Sequence, residues 1–343
     1  MGNFMSLTVG KFRLMMRRLL AKAYYFSGKY KRDHFGNIVI LMYHRVLEDD
    51  DKNISLMQPG MYVKKSTFEM QMEFLSRNYK IISMSNFLDR YSARAFDSSE
   101  RYCVITFDDG WRDNYDVAFP ILKKLSIPAT IFLAEGYVGT EKCFWYEEIA
   151  RLIAFVRDHN LYDQKQEFVN EPEVMISDLV YSRDFSIEKL NYVLEQCKRF
   201  SLNEINEAIK SLSFPMKDAG TQDRLMLNWD EVDEMAKYGI SFGSHTSEHH
   251  ILTTITSDIA QEEIEKSNER LSTRNINYIP VFCYPNGRFN DEIKAMVISA
   301  GYAAAVSTKM GIETPDGGLY SLKRIGLHED ISCSLSLFSY RLK

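Results

Sequence analysis

From residue 38 onward, short apolar runs rich in β-branched and aromatic residues alternate with stretches of helical period. That alternation limits the fold more than any other feature of the chain. IVILMYHRV (38–46), KIIS (80–83), CVITF (103–107), ATIFLA (129–134), ISFGSH (240–245), VFCY (281–284), AAAVS (303–307) and LKRIGL (322–327) read as strands. The stronger of them are near-continuous apolar runs, as in strands covered on both faces. Between them lie helical stretches at 66–78, opened by a Ser66–Glu69 capping box, and at 114–125, with Pro120 in a first turn or at a kink. Others span 228–239, from an Asn cap to a Gly stop, 257–274 and 290–299. Strands alternating with helices call for a mostly parallel sheet, open or closed into a barrel. Residues 141–227 break the rhythm. They are charged, helical in pattern and short of strand signals, and read as an insertion lying near a site rather than forming it.

The charge is unevenly placed. Residues 1–37 carry eight Lys or Arg against one acid, Asp33, so +7 on a chain whose net charge is -5. The remaining -12 makes the body a poor partner for nucleic acid. On a helical wheel Phe12, Met15, Met16, Leu19, Leu20, Ala23 and Phe26 share one arc, and Lys11, Arg13, Arg17, Arg18 and Lys22 take most of the rest. Residues 1–35 thus form a basic amphipathic arm, suited to peripheral contact with anionic lipid through residues 1–30. The arm has no clean apolar core or cleavage site for a secretory leader. The five cysteines (Cys103, Cys143, Cys197, Cys283, Cys333) are odd in number and scattered, which favours reduced thiols. The expected location is cytoplasmic, peripheral on the inner face of the cytoplasmic membrane.

Chemistry-bearing residues fall at the strand ends, where parallel β/α folds gather function. VITFDDGWRDNY (104–115) is a strand that ends in two adjacent acids, Asp108 and Asp109. Tyr43–His44, His245–His249, Tyr284–Arg288 and His328 occupy corresponding places. His245 and His249 are four apart, so on a helical turn both imidazoles face one way. Two His and a distant carboxylate make a metal site with open positions, suited to Zn²⁺ and also to Fe²⁺. A metal would hold one aspartate ionised and leave the other beside it as a base. The alternative for such a set, a non-haem iron oxygenase, usually has its carboxylate close to the first His, whereas Asp109 lies 136 residues upstream. His250 reads as structural. Among the aromatics near these ends Trp111 is the expected stacking floor for a substrate ring, with Tyr43, Trp145 and Trp229 assigned to packing.

TFDDG (106–110), SHTSEH (244–249) and YPNG (284–287), in that order, resemble the motifs of the polysaccharide deacetylase family, the NodB-homology domain or carbohydrate esterase family 4. LMYHRV (41–46) is similar to the opening strand of bacterial members associated with exopolysaccharide and surface glycans. The resemblance covers about residues 38–330, apart from the insertion. It implies an α/β fold, a distorted (β/α)7 barrel with a helical insertion, in a single domain over 36–343. It implies Asp108 as base, Asp109, His245 and His249 as ligands of a divalent metal (Zn²⁺, with Fe²⁺, Co²⁺ or Ni²⁺ as alternatives) and His328 as acid. Metal-bound water would then attack the N-acetyl group of an amino sugar, in a polysaccharide or a polyprenyl-linked glycan, with a backbone N–H near Tyr284–Asn286 at the oxyanion. The same machinery serves O-deacetylation or deformylation, and an inactive relative would be a carbohydrate-binding protein. One departure stands out: where many members place an Arg two residues before the proline of the third motif, this chain has Cys283. Arg288 and Arg324 are the candidates to replace it, and His44 is a candidate for substrate contact or support.

Overall fold

The computed structural model describes residues 2–58, 60–212 and 224–343, with side chains from Leu14 onward and without that of Asn53. Lys11, Phe12 and Arg13 of the arm's wheel, and 213–223 of the insertion, therefore lie outside the described side chains or residues. Among the described residues ten strands are present: β1 (Ile38–Tyr43), β2 (Arg45–Leu47), β3 (Tyr62–Lys64), β4 (Lys80–Ile81), β5 (Tyr102–Phe107), β6 (Ala129–Leu133), β7 (Ile240–Ser244), β8 (Tyr278–Cys283), β9 (Ala304–Met310) and β10 (Leu322–Gly326). Strands β5 to β10 pair in chain order, and β1 closes the ring by pairing with both β5 and β10. All these pairings are parallel, so seven strands form a closed barrel. The first two residues of β5 also hold β4, below the point where β6 joins. β2 and β3 form a small parallel pair apart from the barrel.

Side chains alternate along each strand, and the apolar residues divide accordingly. Ile38, Ile40, Tyr102, Val104, Val281, Val306 and Leu322 pack together in the lumen. Val39, Leu41, Cys103, Ile105 and Ile131 face outward into a second cluster. Helices α2 (Lys65–Asn78), α4 (Phe119–Leu125), α9 (Trp229–Ala236) and α13 (Leu335–Arg341) cover that face, with Phe68, Leu122, Val232 and Phe338 in the same cluster. Further helices surround the barrel: α3 (Met84–Ala93), α10 (Ser257–Ser272), α11 (Asp291–Ser299) and the short α12 (Glu329–Ser332). Burial on both faces is why β5 reads YCVITF without polar alternation.

The insertion folds into α5 (Trp145–Asp158), α6 (Glu171–Val180), α7 (Ile187–Cys197) and α8 (Leu202–Leu212), packed round an apolar cluster of its own that includes Ile149, Ile176, Leu190 and Ile205. An ion pair ties it to β2, from Arg45 to Glu147 of α5 at 3.2 Å. Ahead of the barrel, α1 (Gly2–Phe26) packs on α13 through Ala21 and Tyr24, whose ring meets Tyr340. Leu14, Met15, Met16, Leu19, Leu20 and Phe26 remain exposed. Among the described residues no helix is long and apolar enough to cross a membrane.

One local expectation is corrected. Ser66 does not cap α2: the helix starts one residue earlier, and the Ser66 hydroxyl donates to Asp49 instead (2.7 Å). The reciprocal capping box belongs to α9, between Asn228 and Glu231. Pro120 sits in the first turn of α4, where its missing N–H costs nothing, after a π-helical turn over Asn114–Ala118.

Candidate active site

At the carboxyl end of the barrel lies a cavity of about 250 Å³, with Asp108, Asp109, His245 and His249 on its wall. Asp108 continues the lumen-facing positions of β5 one step past the strand, on the side of Tyr102, Val104 and Thr106. Arg324 of β10, two residues beyond lumen-facing Leu322, comes from across the lumen to meet it. Its Nη1 and Nη2 donate to the two Asp108 oxygens at 2.6 and 2.7 Å, and both residues are buried. A bidentate pair of this kind is the strong form of the interaction. Burial alone would raise the Asp108 pKa, but the charge and hydrogen bonds of Arg324 outweigh it and hold the carboxyl below its ordinary range.

Asp109 turns the other way. Its φ of 79° is left-handed, strained for a residue with a side chain, and Gly110 follows at 87°. One oxygen, Oδ2, accepts the Trp111 indole N–H at 2.8 Å. The other, Oδ1, lies 3.3 Å from His245 Nε2 and 3.4 Å from His249 Nε2. Burial opposes ionisation here too, and the two imidazoles overcome it to hold Asp109 well below the carboxylate range. The His245 Nδ1 contacts the Cys283 carbonyl oxygen at 2.8 Å, which fixes the ring. Three of the eight non-glycine residues with positive φ among those described, Asp109, His249 and Asn286, line this one cavity, and a fourth, Thr246, follows His245 in the same loop. Backbone strain concentrated in this way is a mark of functional sites.

The chain matches the family model described as polysaccharide deacetylase over residues 96–178 and 191–305. The chain belongs to the polysaccharide deacetylase family. It is 23% identical over 309 residues to the YxkH protein of Bacillus subtilis (strain 168), covering 90% of this chain and 77% of that one. It is 25% identical over 258 residues to the poly-beta-1,6-N-acetyl-D-glucosamine N-deacetylase of Staphylococcus aureus (strain MSSA476), covering 69% and 84%. In fold it is similar to the Streptococcus pyogenes deacetylase PplD, solved in complex with acetate, with a TM-score of 0.58 at 21% identity over 90% of this chain and 98% of that one. The seven-stranded closed barrel is the fold of this family of deacetylases.

The donor set of this polysaccharide deacetylase fits a metal. Ligand bonds of about 2.0–2.1 Å in a tetrahedral site separate donor atoms by roughly 3.3–3.4 Å, which is the spacing of Asp109 Oδ1 from both imidazole nitrogens. Asp109, His245 and His249 each offer one atom to a common point. The remaining groups of Asp109 and His245 are engaged with Trp111 and Cys283, the outer hydrogen bonds that orient metal ligands. Zn²⁺ and Fe²⁺ both accept this set.

Several residues stand elsewhere than the sequence implied. His245 and His249 are not on a helical turn but on a loop that left-handed Thr246 and His249 bend back on itself. Trp111 is wholly buried between Arg45 and Phe144, so it cannot be a sugar-stacking floor; it supports Asp109. Trp145 and Tyr146, at the start of α5, supply the aromatic wall instead, joined by Lys198 just past α7. The insertion thus lines the site, which its polar helical pattern did not reveal. Arg288 is exposed, and of the two arginines it is Arg324 that holds Asp108. His328 does not line the cavity and pairs with Asp330 at 3.3 Å. The further imidazole that lines the cavity is His44, in the break between β1 and β2, with Nε2 4.0 Å from Asp108 Oδ2. Tyr284 and Asn286 do border the cavity, but the Tyr284 N–H is already committed to the Val306 carbonyl.

Proposed function

We propose that this chain hydrolyses the N-acetyl group of an amino sugar within a polysaccharide or glycan intermediate. The observation that carries the reading is the division of labour between adjacent acids. Asp109 is turned to two imidazoles in a metal-ligand arrangement, while Asp108 is held ionised by Arg324 with both oxygens fixed at the cavity wall. A divalent cation on Asp109, His245 and His249 would supply Lewis acidity towards the acyl oxygen and acidify water. Asp108 takes the proton of the attacking water, its orientation set by Arg324. His44, whose Nε2 lies 4.0 Å from Asp108 at the cavity wall, protonates the departing amine. Trp145 and Tyr146 offer the flat apolar faces against which a sugar ring packs. The curated Staphylococcus relative, named as an N-deacetylase of an N-acetylglucosamine polymer, supports the choice of acyl group and substrate class. The reading of an inactive binding protein loses its one support, because Arg324 supplies the guanidinium missing at Cys283.

Acetate release from N-acetylglucosamine oligomers and from polyprenyl-diphosphate-linked N-acetyl sugars tests this. Chelator-sensitive release that disappears in Asp108→Asn is expected. Binding without release, with metal bound, would return the inactive reading. The exposed apolar residues of α1, beside Arg17, Arg18 and Lys22, support a peripheral position on an anionic membrane and hence a lipid-linked substrate.

A further inference from the structure

The loop that carries both histidines is held in its strained form by side chains that do not line the cavity. Between His245 and His249, the N–H groups of Ser247 and Glu248 converge on one oxygen of Glu263, at 3.1 and 2.8 Å. From the opposite side the Ser247 hydroxyl donates to Glu135 at 2.6 Å, and Glu135 is itself held by Arg270 at 3.1 and 3.2 Å. Glu135 and Glu263 are both buried, 5% and 7% exposed, which is rare for acids without a task. Glu263, Ser267 and Arg270 lie at i, i+4 and i+7 on α10, hence on one face. Ser267 completes the stripe by bonding Ser244, the last residue of β7 before the loop, at 2.7 Å. The loop after β6 presses against the same segment: Gly136 donates its N–H to the Ser247 carbonyl at 2.9 Å, and a Cβ there would meet that oxygen at 2.8 Å.

We infer that Glu263 and Glu135 are positioning residues for the metal ligands, clamping residues 246–248 so that left-handed His249 stays aimed at Asp109. A carboxylate accepting two successive N–H groups favours the tight, left-handed bend that an ordinary loop would relax out of. Without it the loop extends, and His249, whose ring nitrogen is held among the described residues by Asp109 and whose ring otherwise packs on Phe144, moves away first. His245 stays, because its backbone N–H is tied to the Leu133 carbonyl and its ring to Cys283. The inference rests on reading Asp109, His245 and His249 as metal donors, and it concerns the residues that arrange them.

The experiment is a titration of the full chain with Co²⁺ against a chromophoric competing chelator, with the visible Co²⁺ spectrum recorded at saturation. Glu263→Met keeps the length of the side chain and removes the acceptor. It is expected to lose about 10–100-fold in metal affinity, the usual consequence of removing an outer-sphere partner, with an altered spectrum and unchanged far-ultraviolet dichroism. Glu263→Gln retains an oxygen for both N–H groups and is expected to restore affinity to within a few-fold. Glu313→Met removes another buried acid, at the amino end of the barrel where it accepts the Lys323 N–H, and is expected to leave affinity unchanged. Should Glu263→Met fail to fold, Ser247→Ala cuts the Glu135 arm alone and is expected to weaken metal binding several-fold. Wild-type affinity in Glu263→Met, or in Ser247→Ala if that variant must serve, overturns the inference, as does an equal loss in Glu313→Met. Because the readout is metal binding without substrate, failure of the deacetylase reading shows only in acetate release and is told apart.

Discussion

At the scale of single residues, the Asp108–Arg324 pair decides the pH response. The folded pKa of Asp108 lies below its unfolded value of about 3.9. Its contribution to stability is therefore complete above that value and lost as pH falls through the folded one. With Asp108 as the proposed base, activity would need the ionised form, so kcat/KM should hold down to the acid edge of the carboxylate range. In Arg324→Met the main opposition to burial is gone, and the acid limb should move upward in a pH–rate profile. The same variant strands a buried charge and should cost about 3–5 kcal/mol by denaturant unfolding. An unchanged limb would mean that Asp108 is not the base. Trp111 gives a second discriminating case. Trp111→Phe keeps the ring between Arg45 and Phe144 but removes the N–H to Asp109. Metal affinity and kcat should fall about 10-fold while KM stays; a rise in KM alone would restore Trp111 as a sugar contact. Its adjacency to Asp-Asp-Gly was legible in the sequence, but not the direction of its ring.

At the scale of elements, the arm and the insertion behave differently from what their patterns alone convey. The amphipathic spacing of α1 was readable, yet among its described side chains Ala21 and Tyr24, near its end, are buried, with Tyr24 against Tyr340 of α13. Deleting residues 1–30 would therefore strip packed surface as well as the exposed face. Leu19→Ser with Leu20→Ser changes only exposed positions. It should abolish co-sedimentation with anionic vesicles while leaving turnover of a soluble acetylated sugar intact. Retained sedimentation would remove α1 from the membrane reading. The insertion lines the cavity through Trp145, Tyr146 and Lys198, which neighbour the histidines only in the folded chain. Trp145→Ala should raise KM for oligomers about 10-fold or more, the scale of about 1.4 kcal/mol of lost ring packing, with little effect on metal affinity.

For the whole molecule, closure of seven parallel strands is what makes a site of residues scattered from position 44 to 324. Metal binding should accordingly stabilise the entire barrel: at 100 times its Kd a ligand adds about 2.7 kcal/mol. The midpoint of thermal unfolding should rise by several degrees on adding Zn²⁺ and fall back with chelator, and Asp109→Ala should erase the difference. The sequence by itself determined the β/α alternation, because burial on both faces leaves an apolar run that no helix period explains. It also determined that acids and histidines stand at strand ends, because a motif is local. Closure of the ring, the arginine that reaches Asp108 from β10, the imidazole on the cavity wall and the aromatics of the insertion were decided only by tertiary structure. Each is a contact between residues far apart in the chain. Which guanidinium crosses the lumen, or which ring faces the cavity, depends on strand register and on side-chain direction, and neither leaves a mark on local composition.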